Sequence, residues 1–330
     1  MFVKTFKKDY TMQLVILAII PLLLWIIAFI FPPSLVKTNF SYPIYQLIYN
    51  GLSNLTLLSS IIAFILVFIQ AILINSIFSS NQLTPKTSFF PAFIYILLLS
   101  SSYSSMTISP ILIANCFILF AMYFLLKAFD HKEGLEEIFN ANFFISLATL
   151  TFFPSILLTL WVGLALLNYR FYNWRHWAVS LLGLITPILF LVIYYFITDS
   201  LILQKEIFLK NISYIPNFFI SLPPMEIIFY ISIGILGLIS LFTTLFNKSD
   251  NNISYRKKTN IMIIYFVISI LPAIYLIEEE EIIFLFAPSL AFLLFNCFSE
   301  KRKLIYSNII FTLFLIIIIS RLVLSFKSCI

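Results

Sequence analysis

The chain has 330 residues, of which 62% are hydrophobic and only 10% are charged, and its formal net charge is +6. A soluble domain carries about 25% charged residues, and so apolar a chain cannot build a water-facing surface, which excludes a soluble globular protein. The positive charge lies in short segments between apolar runs, as membrane topology requires, so we expect membrane lipid as the partner and no nucleic acid.

Long apolar runs predict helices that cross a membrane. About 20 apolar residues span a hydrocarbon core of about 30 Å, and these runs lack the polar–apolar alternation of barrel strands. The first run is too long for the apolar core of a signal peptide, so we predict an uncleaved first span. The predicted spans outside one ambiguous stretch are 13–31, 55–78, 89–108, 111–129, 177–197, 226–246, 261–277, 282–298 and 304–326.

The stretch 138–169 fits either one long kinked helix or two short helices that turn at Phe152-Phe153-Pro154. With the hairpin, 15 Lys and Arg residues fall on the cytoplasmic side and 4 on the outer side, whereas a single helix gives 9 and 10. The positive-inside rule therefore favours the hairpin. The predicted fold is an all-α, polytopic transmembrane helical bundle of about eleven segments, with residues 1–330 as one integral membrane domain and the N-terminus in the cytoplasm.

Three further segments carry polar residues. Residues 32–54 have tyrosines spaced for a short amphipathic helix, which fits an aromatic anchor or a surface that receives a lipid. Residues 198–225 form the longest predicted outer loop, either a solvated connector or an interfacial helix. Residues 97–109 are rich in serine, which predicts either close helix packing or a polar path.

Arg170, Arg175 and His176 follow the predicted hairpin on the cytoplasmic side, beside Trp177. Basic residues with Trp at a membrane interface anchor a protein to anionic headgroups. The alternative is a site that binds a phosphate-bearing lipid substrate. We predict lipid or phosphate binding at Arg170, Arg175 and His176, with both interpretations open.

Four adjacent glutamates, Glu278, Glu279, Glu280 and Glu281, lie between two apolar runs at a predicted outer turn. Carboxylates this close repel one another unless a cation is near. Arg321 lies near the outer end of the last span, so we predict that it pairs with a glutamate of this cluster. These five residues are candidates for cation binding, proton handling or acid–base catalysis, and a polar surface turn is the alternative.

The sequence lacks the motifs of metal, cofactor and nucleotide chemistry. Cys116, Cys297 and Cys329 have neither metal-ligand nor disulfide spacing, and two histidines cannot form a His-rich iron or zinc centre. Phosphate-binding loops, dinucleotide-binding glycine motifs and protease motifs are absent. We therefore predict no metal and no cofactor, and whether the protein is an enzyme stays open.

Two stretches resemble an uncharacterised family of polytopic inner-membrane proteins of the Bacteroidota type, and they are LEEIFNANFFISLATLTFFPSILLTLWVGLALLNYR and IIFLFAPSLAFLLFN. The resemblance runs over most of the chain and implies a bacterial inner (cytoplasmic) membrane, but no activity. The order of one span, an outer segment and many further spans is similar in architecture to membrane glycosyltransferases that use polyprenyl-phosphate sugars. Those enzymes place an essential Asp or Glu in the first outer loop, and residues 32–54 contain neither, so no catalytic residue is carried over.

The sequence thus predicts a multi-pass inner-membrane protein of unknown molecular activity, tied to envelope lipid or polysaccharide assembly. Three alternatives stay open. They are an enzyme that uses a polyprenyl-linked sugar, a transporter or flippase for an amphipathic substrate, and a non-catalytic subunit that assembles with other membrane subunits.

Overall fold

The computed structural model describes residues 10–35, 42–86, 88–131, 133–202, 223–246, 252–276, 281–299 and 304–329. This part of the chain is helical and contains no strand, which confirms the all-α prediction. Two 3-10 helices cover Phe153–Leu158 and Ile274–Leu276. The α-helices are α1 Tyr10–Ile30, α2 Pro43–Leu52, α3 Thr56–Ser80, α4 Phe90–Leu99, α5 Pro110–Ala128, α6 Leu135–Thr151, α7 Thr159–Tyr169, α8 Trp174–Ile197, α9 Pro224–Phe246, α10 Ile253–Ile268, α11 Ile270–Ala273, α12 Ile282–Ser299 and α13 Leu304–Cys329.

Among the described residues, six helices are long and apolar enough to cross a membrane, namely α3, α5, α8, α9, α12 and α13. Three shorter stretches, Val15–Ile30, Phe90–Leu99 and Phe153–Tyr169, are also apolar. A helix suits a membrane because it pairs its backbone groups internally, where no water can pair them. The helices fit a membrane protein, and the total of about eleven segments stays a prediction.

The predicted continuous span 89–108 is wrong. α4 ends at Leu99, and residues 100–109 continue as largely buried, non-helical backbone. Serine hydroxyls bond to nearby backbone groups and so compete with helical hydrogen bonds, and Pro110 disfavours helix at the residue before it. The averaged hydropathy of this run hides these local effects.

The predicted span 261–277 is shifted and interrupted. α10 begins earlier, at Ile253, and it ends at Ile268. The Ser269 hydroxyl donates to the carbonyl oxygen of a preceding turn, that of Phe266, at 2.8 Å. Pro272 lies in the short helix that follows, so both polar competition and proline break the regular helix here.

The stretch 138–169 forms the predicted hairpin. α6 stops, the chain turns at Phe152 in an extended conformation, and Pro154 leads through the first 3-10 helix into α7. The two arms return to one end of the bundle. There the ring centroid of Phe129, before α6, lies 5.1 Å from that of Tyr169, at the end of α7.

We call that end the basic end, and we call the end with residues 100–109 the serine end. At the basic end, Lys258 is buried, and its Nζ donates to Asp130 at 2.8 Å and to Asn81 at 2.9 Å. A buried cation requires such partners. The lysine therefore ties α10 to the loops that follow α3 and α5.

Some buried polar side chains of the core are paired across helices. Every residue of α4 is buried, so α4 is the central helix. Within it, Tyr95 donates to Gln70 Oε1 at 2.8 Å, and Gln70 donates from Nε2 to the Leu112 carbonyl oxygen at 2.8 Å. These bonds join α3, α4 and α5, as buried polar side chains require.

Gly183 in α8 packs against the backbone of α6. A methyl group at Gly183 would collide with the carbonyl oxygen of Phe139. We expect Gly183→Ala to force α6 and α8 apart and to lower the free energy of unfolding by about 1–3 kcal/mol, measured by denaturant unfolding in detergent. Gly234→Ala is the matched control because nothing lies within 4 Å of the added methyl group. Equal stability of the two variants would contradict the close α6–α8 contact.

Candidate functional site

A buried ion pair lies at the serine end. Arg321 in α13 donates from Nε and Nη2 to the two carboxylate oxygens of Glu226 in α9, at 2.9 and 2.8 Å. Arg321 is 1% exposed and Glu226 is 7% exposed. A two-point contact is the strong form of an arginine–carboxylate pair, and burial strengthens the attraction because water does not screen it.

Serine and aromatic side chains complete the surroundings of the Arg321 guanidinium. Its Nη1 donates to Ser101 Oγ at 2.8 Å, and its Nη2 lies 3.3 Å from the Tyr230 hydroxyl. The guanidinium carbon lies 4.1 Å from the centroid of the Phe229 ring, which is a cation–π distance. The ion pair therefore fastens α9 and α13 to the non-helical segment 100–109.

Further hydrogen bonds hold the segment 100–109 in place. Trp25 donates from Nε1 to Ser100 Oγ at 2.8 Å. The backbone N–H of Tyr103 donates to Ser325 Oγ at 2.9 Å. Non-helical backbone at membrane depth must be satisfied by protein or by a wet cavity, and here protein groups from α1 and α13 contribute. These contacts favour close packing over a polar path for the serine-rich run.

The sequence singled out Arg321, but it did not predict Glu226 as its partner. Each is a charged residue within a long apolar helix, and both lie near the serine end. A similar depth in the membrane was therefore the one signal in the sequence that could have related them. Residues 278–280 lie outside the described residues, and Glu281 is buried at the start of α12. The predicted pairing of Arg321 with the glutamate cluster therefore stays a prediction.

Removing one member of the ion pair leaves the other charge buried, which costs about 3–5 kcal/mol. We expect Arg321→Leu and Glu226→Leu each to lower the free energy of unfolding by that order. The double variant should lose less than the sum, as measured by a double-mutant cycle in detergent. Lys327→Gln, at an exposed cation on the same helix, is the control with little expected effect. Strictly additive losses would show that the two side chains do not interact.

A cavity of about 440 Å³ opens at the basic end. It is lined by residues 169–173, 175 and 176, together with Glu133 and Leu135. The hairpin creates it, because the loop before α6 and the loop after α7 meet there. Its volume falls within the range of about 300–1,000 Å³ that small-molecule sites occupy.

Arg170 lines this cavity in an unusual backbone conformation. It ends α7 in the left-handed region, with φ 65° and ψ 33°. Glycine is the usual residue at this position, and a residue with a Cβ is strained there by roughly 1–2 kcal/mol. Backbone strain at a cation beside a cavity makes Arg170 a candidate for a functional role.

Arg170 and Arg175 are the cations of the cavity. Both are exposed, and neither guanidinium has a hydrogen-bond or ion-pair partner in the part of the chain that the structure describes. Beside them, Trp174 is 75% exposed and Tyr172 is 69% exposed, as aromatic side chains at a membrane interface are. Free guanidinium groups match the geometry of phosphate oxygens.

His176 lines the same cavity, but its ring is held by the protein. Nε2 lies 2.9 Å from the Glu133 carbonyl oxygen and Nδ1 lies 3.3 Å from the Asn173 carbonyl oxygen. A carbonyl oxygen only accepts, so Nε2 donates. The ring also stacks on Phe171, with centroids 4.7 Å apart. The three residues predicted together, Arg170, Arg175 and His176, thus line one cavity, with His176 joining its walls.

In the described ranges, no three His, Cys, Asp or Glu side chains lie close enough together to hold a metal ion. The ion pair at the serine end has its partners within the protein, whereas the arginines of the cavity face open space.

No protein-family model, no curated protein and no solved structure matches this chain.

Proposed function

We propose that this is a multi-pass protein of the bacterial inner membrane whose cavity binds the anionic, phosphate-bearing headgroup of a membrane lipid. In this proposal the basic end faces the cytoplasm, and the binding serves envelope lipid or polysaccharide assembly. The observation that carries the proposal is the pair Arg170 and Arg175, two guanidinium groups that line one cavity without a partner among the described residues.

The exposed apolar surface supports a membrane location. Only 11% of an apolar stretch of 18 residues in α8 is buried. Leu181, Phe190 and Ile197 are 60%, 68% and 74% exposed. A contiguous apolar face of this length is unfavourable in water and favourable against lipid tails.

The distribution of cations supports the orientation. Arg170, Arg175, Arg256 and Lys257 all lie at the basic end, where Lys257 donates to the Asn168 carbonyl oxygen. Lys and Arg are retained on the cytoplasmic side of bacterial membrane proteins. The cavity therefore opens toward the leaflet whose anionic headgroups attract such residues.

Charge-specific variants test the cavity as the binding site. A cation near an anionic surface contributes about 1 kcal/mol of attraction, which is roughly fivefold in affinity. We expect Arg170→Gly and Arg175→Gln each to weaken binding of phosphatidylglycerol by about this factor, and Glu133→Gln to strengthen it. Native mass spectrometry of the protein in nanodiscs counts the bound lipids.

Two features make this experiment decisive. Arg170→Gly places glycine where the left-handed conformation favours it, so the fold should be retained or stabilised. Arg256→Gln removes an exposed cation at the same end but outside the cavity lining. Equal weakening by Arg256→Gln and Arg170→Gly would mean a diffuse electrostatic attraction and would contradict a defined site.

A further inference from the structure

Glu133 brings a negative charge to a cavity whose other charged residues are arginines. It lines the cavity together with Arg170 and Arg175, and it is exposed. Neither arginine forms an ion pair with it, and its carboxylate has no partner among the described residues. Opposite charges attract each other, so their separation in one cavity has a structural cause.

The backbone holds these charges on different walls of the cavity. The Glu133 carbonyl oxygen is bonded to the His176 ring at 2.9 Å, which fixes the loop before α6. Because this carbonyl group is occupied, the exposed part of Glu133 is mainly its side chain. Arg170 is held by the left-handed turn that ends α7, and Arg175 by the first turn of α8. The cavity therefore has an acidic wall and a basic wall.

A ligand with a single charge matches only one of these walls. A simple anion attracts the two guanidinium groups, but the Glu133 carboxylate repels it. A ligand that carries a phosphate and a cation gives each wall the opposite charge. Such complementarity of charge determines specificity in binding sites.

The aromatic residues of the cavity indicate which kind of cation fits. Quaternary ammonium groups are bound by cages of aromatic faces. Here the Phe171 ring stacks on the His176 ring, with centroids 4.7 Å apart, and lies edge-on to Tyr169. Of the rings in the cavity lining, Tyr172 alone is exposed, and one ring is no cage. A primary ammonium group instead donates hydrogen bonds to a carboxylate, which accepts them.

We propose, on the basis of the lipid-binding function above, that the bound headgroup carries a primary ammonium group beside its phosphate, and that Glu133 binds this ammonium. Arg170 and Arg175 bind the two terminal oxygens of the phosphodiester, as guanidinium groups do. The headgroup keeps the anionic phosphate of the proposed function and adds a donor that the arginines cannot bind. Phosphatidylethanolamine has this chemistry.

Other acidic residues near the cavity do not compete for the ammonium group. Asp130 is paired with a buried lysine at 2.8 Å, and Glu137 lies 3.3 Å from His131. Glu136 is exposed in the first turn of α6, but it does not line the cavity. Among the described residues, Glu133 is thus the carboxylate available to a bound headgroup.

The test uses lipids with matched acyl chains as guests in phosphatidylcholine nanodiscs, and native mass spectrometry counts the lipids that stay bound. Phosphatidylethanolamine and phosphatidylcholine carry the same charges, but only the first has N–H donors on its cation. The native protein should prefer phosphatidylethanolamine by about tenfold, the size expected for a hydrogen bond between charged groups. Glu133→Gln should remove most of this preference and strengthen binding of phosphatidylglycerol, which has no cation.

Opposite effects on two lipids distinguish a binding role of Glu133 from a structural one, because a disturbed fold weakens the binding of both. Glu136→Gln is the matched control, since it neutralises a carboxylate outside the cavity lining and should change neither lipid. A native protein without the preference, or a Glu133→Gln variant that keeps it, would overturn this inference. Weaker phosphatidylglycerol binding by Arg170→Gly would in that case still support the proposed function.

Two results would overturn the proposed function as well. One is lipid binding that neither Glu133→Gln nor Arg170→Gly changes. The other concerns glycerophosphoethanolamine, which is the same headgroup without acyl chains and should bind more weakly than the lipid. Equally tight binding of this soluble compound would assign the cavity to a soluble aminophosphate.

Discussion

The hydrogen bond from the His176 ring to the Glu133 carbonyl oxygen joins the first turn of α8 to the loop before α6, 43 positions earlier in the chain. It exists because the chain reverses at Phe152 and returns to the end it left. Proline at the turn and glycine at the start of α6, where Gly134 has a φ of 57°, permit this reversal. Without it the cavity has no second wall, and Arg170 and Arg175 would lie on the opposite face from Glu133. The reversal also keeps the cations of the two loops together at one end, as the positive-inside rule requires.

The two ends of the bundle use arginine in opposite ways. At the serine end Arg321 is 1% exposed and bonds to a carboxylate and a serine. It therefore holds the non-helical segment 100–109, which follows α4, in place. At the basic end Arg170 and Arg175 are exposed, and no described residue pairs with them. A satisfied, buried guanidinium contributes to a specific fold, whereas an unpaired one beside a cavity is available to a ligand. The break in α4 resembles the discontinuous helices of transporters, but packed protein groups surround it here.

Sequence alone predicted the features that depend on charge and hydropathy summed over long stretches. The hairpin at 138–169 followed from counting cations on either side, and the grouping of Arg170, Arg175 and His176 followed from their adjacency. The pairing of residues that are far apart in the chain could not be predicted from the sequence. Glu226 and Arg321 are 95 positions apart, and no spacing relates them. The break at Leu99 was missed because serine competes locally for backbone hydrogen bonds, an effect that averaged hydropathy does not register.

Membrane-sided labelling of single cysteines tests the reversal most directly. The three native cysteines are first replaced. Reactive thiols are then placed at exposed positions, by Glu136→Cys in the first turn of α6, Tyr172→Cys in the loop after α7 and Asn50→Cys at the serine end. With an impermeant maleimide on intact spheroplasts, Asn50→Cys should react at once, while Glu136→Cys and Tyr172→Cys should react only after the membrane is opened. Reaction of Tyr172→Cys alongside Asn50→Cys, with Glu136→Cys still protected, would place the two loops on opposite faces and contradict the account.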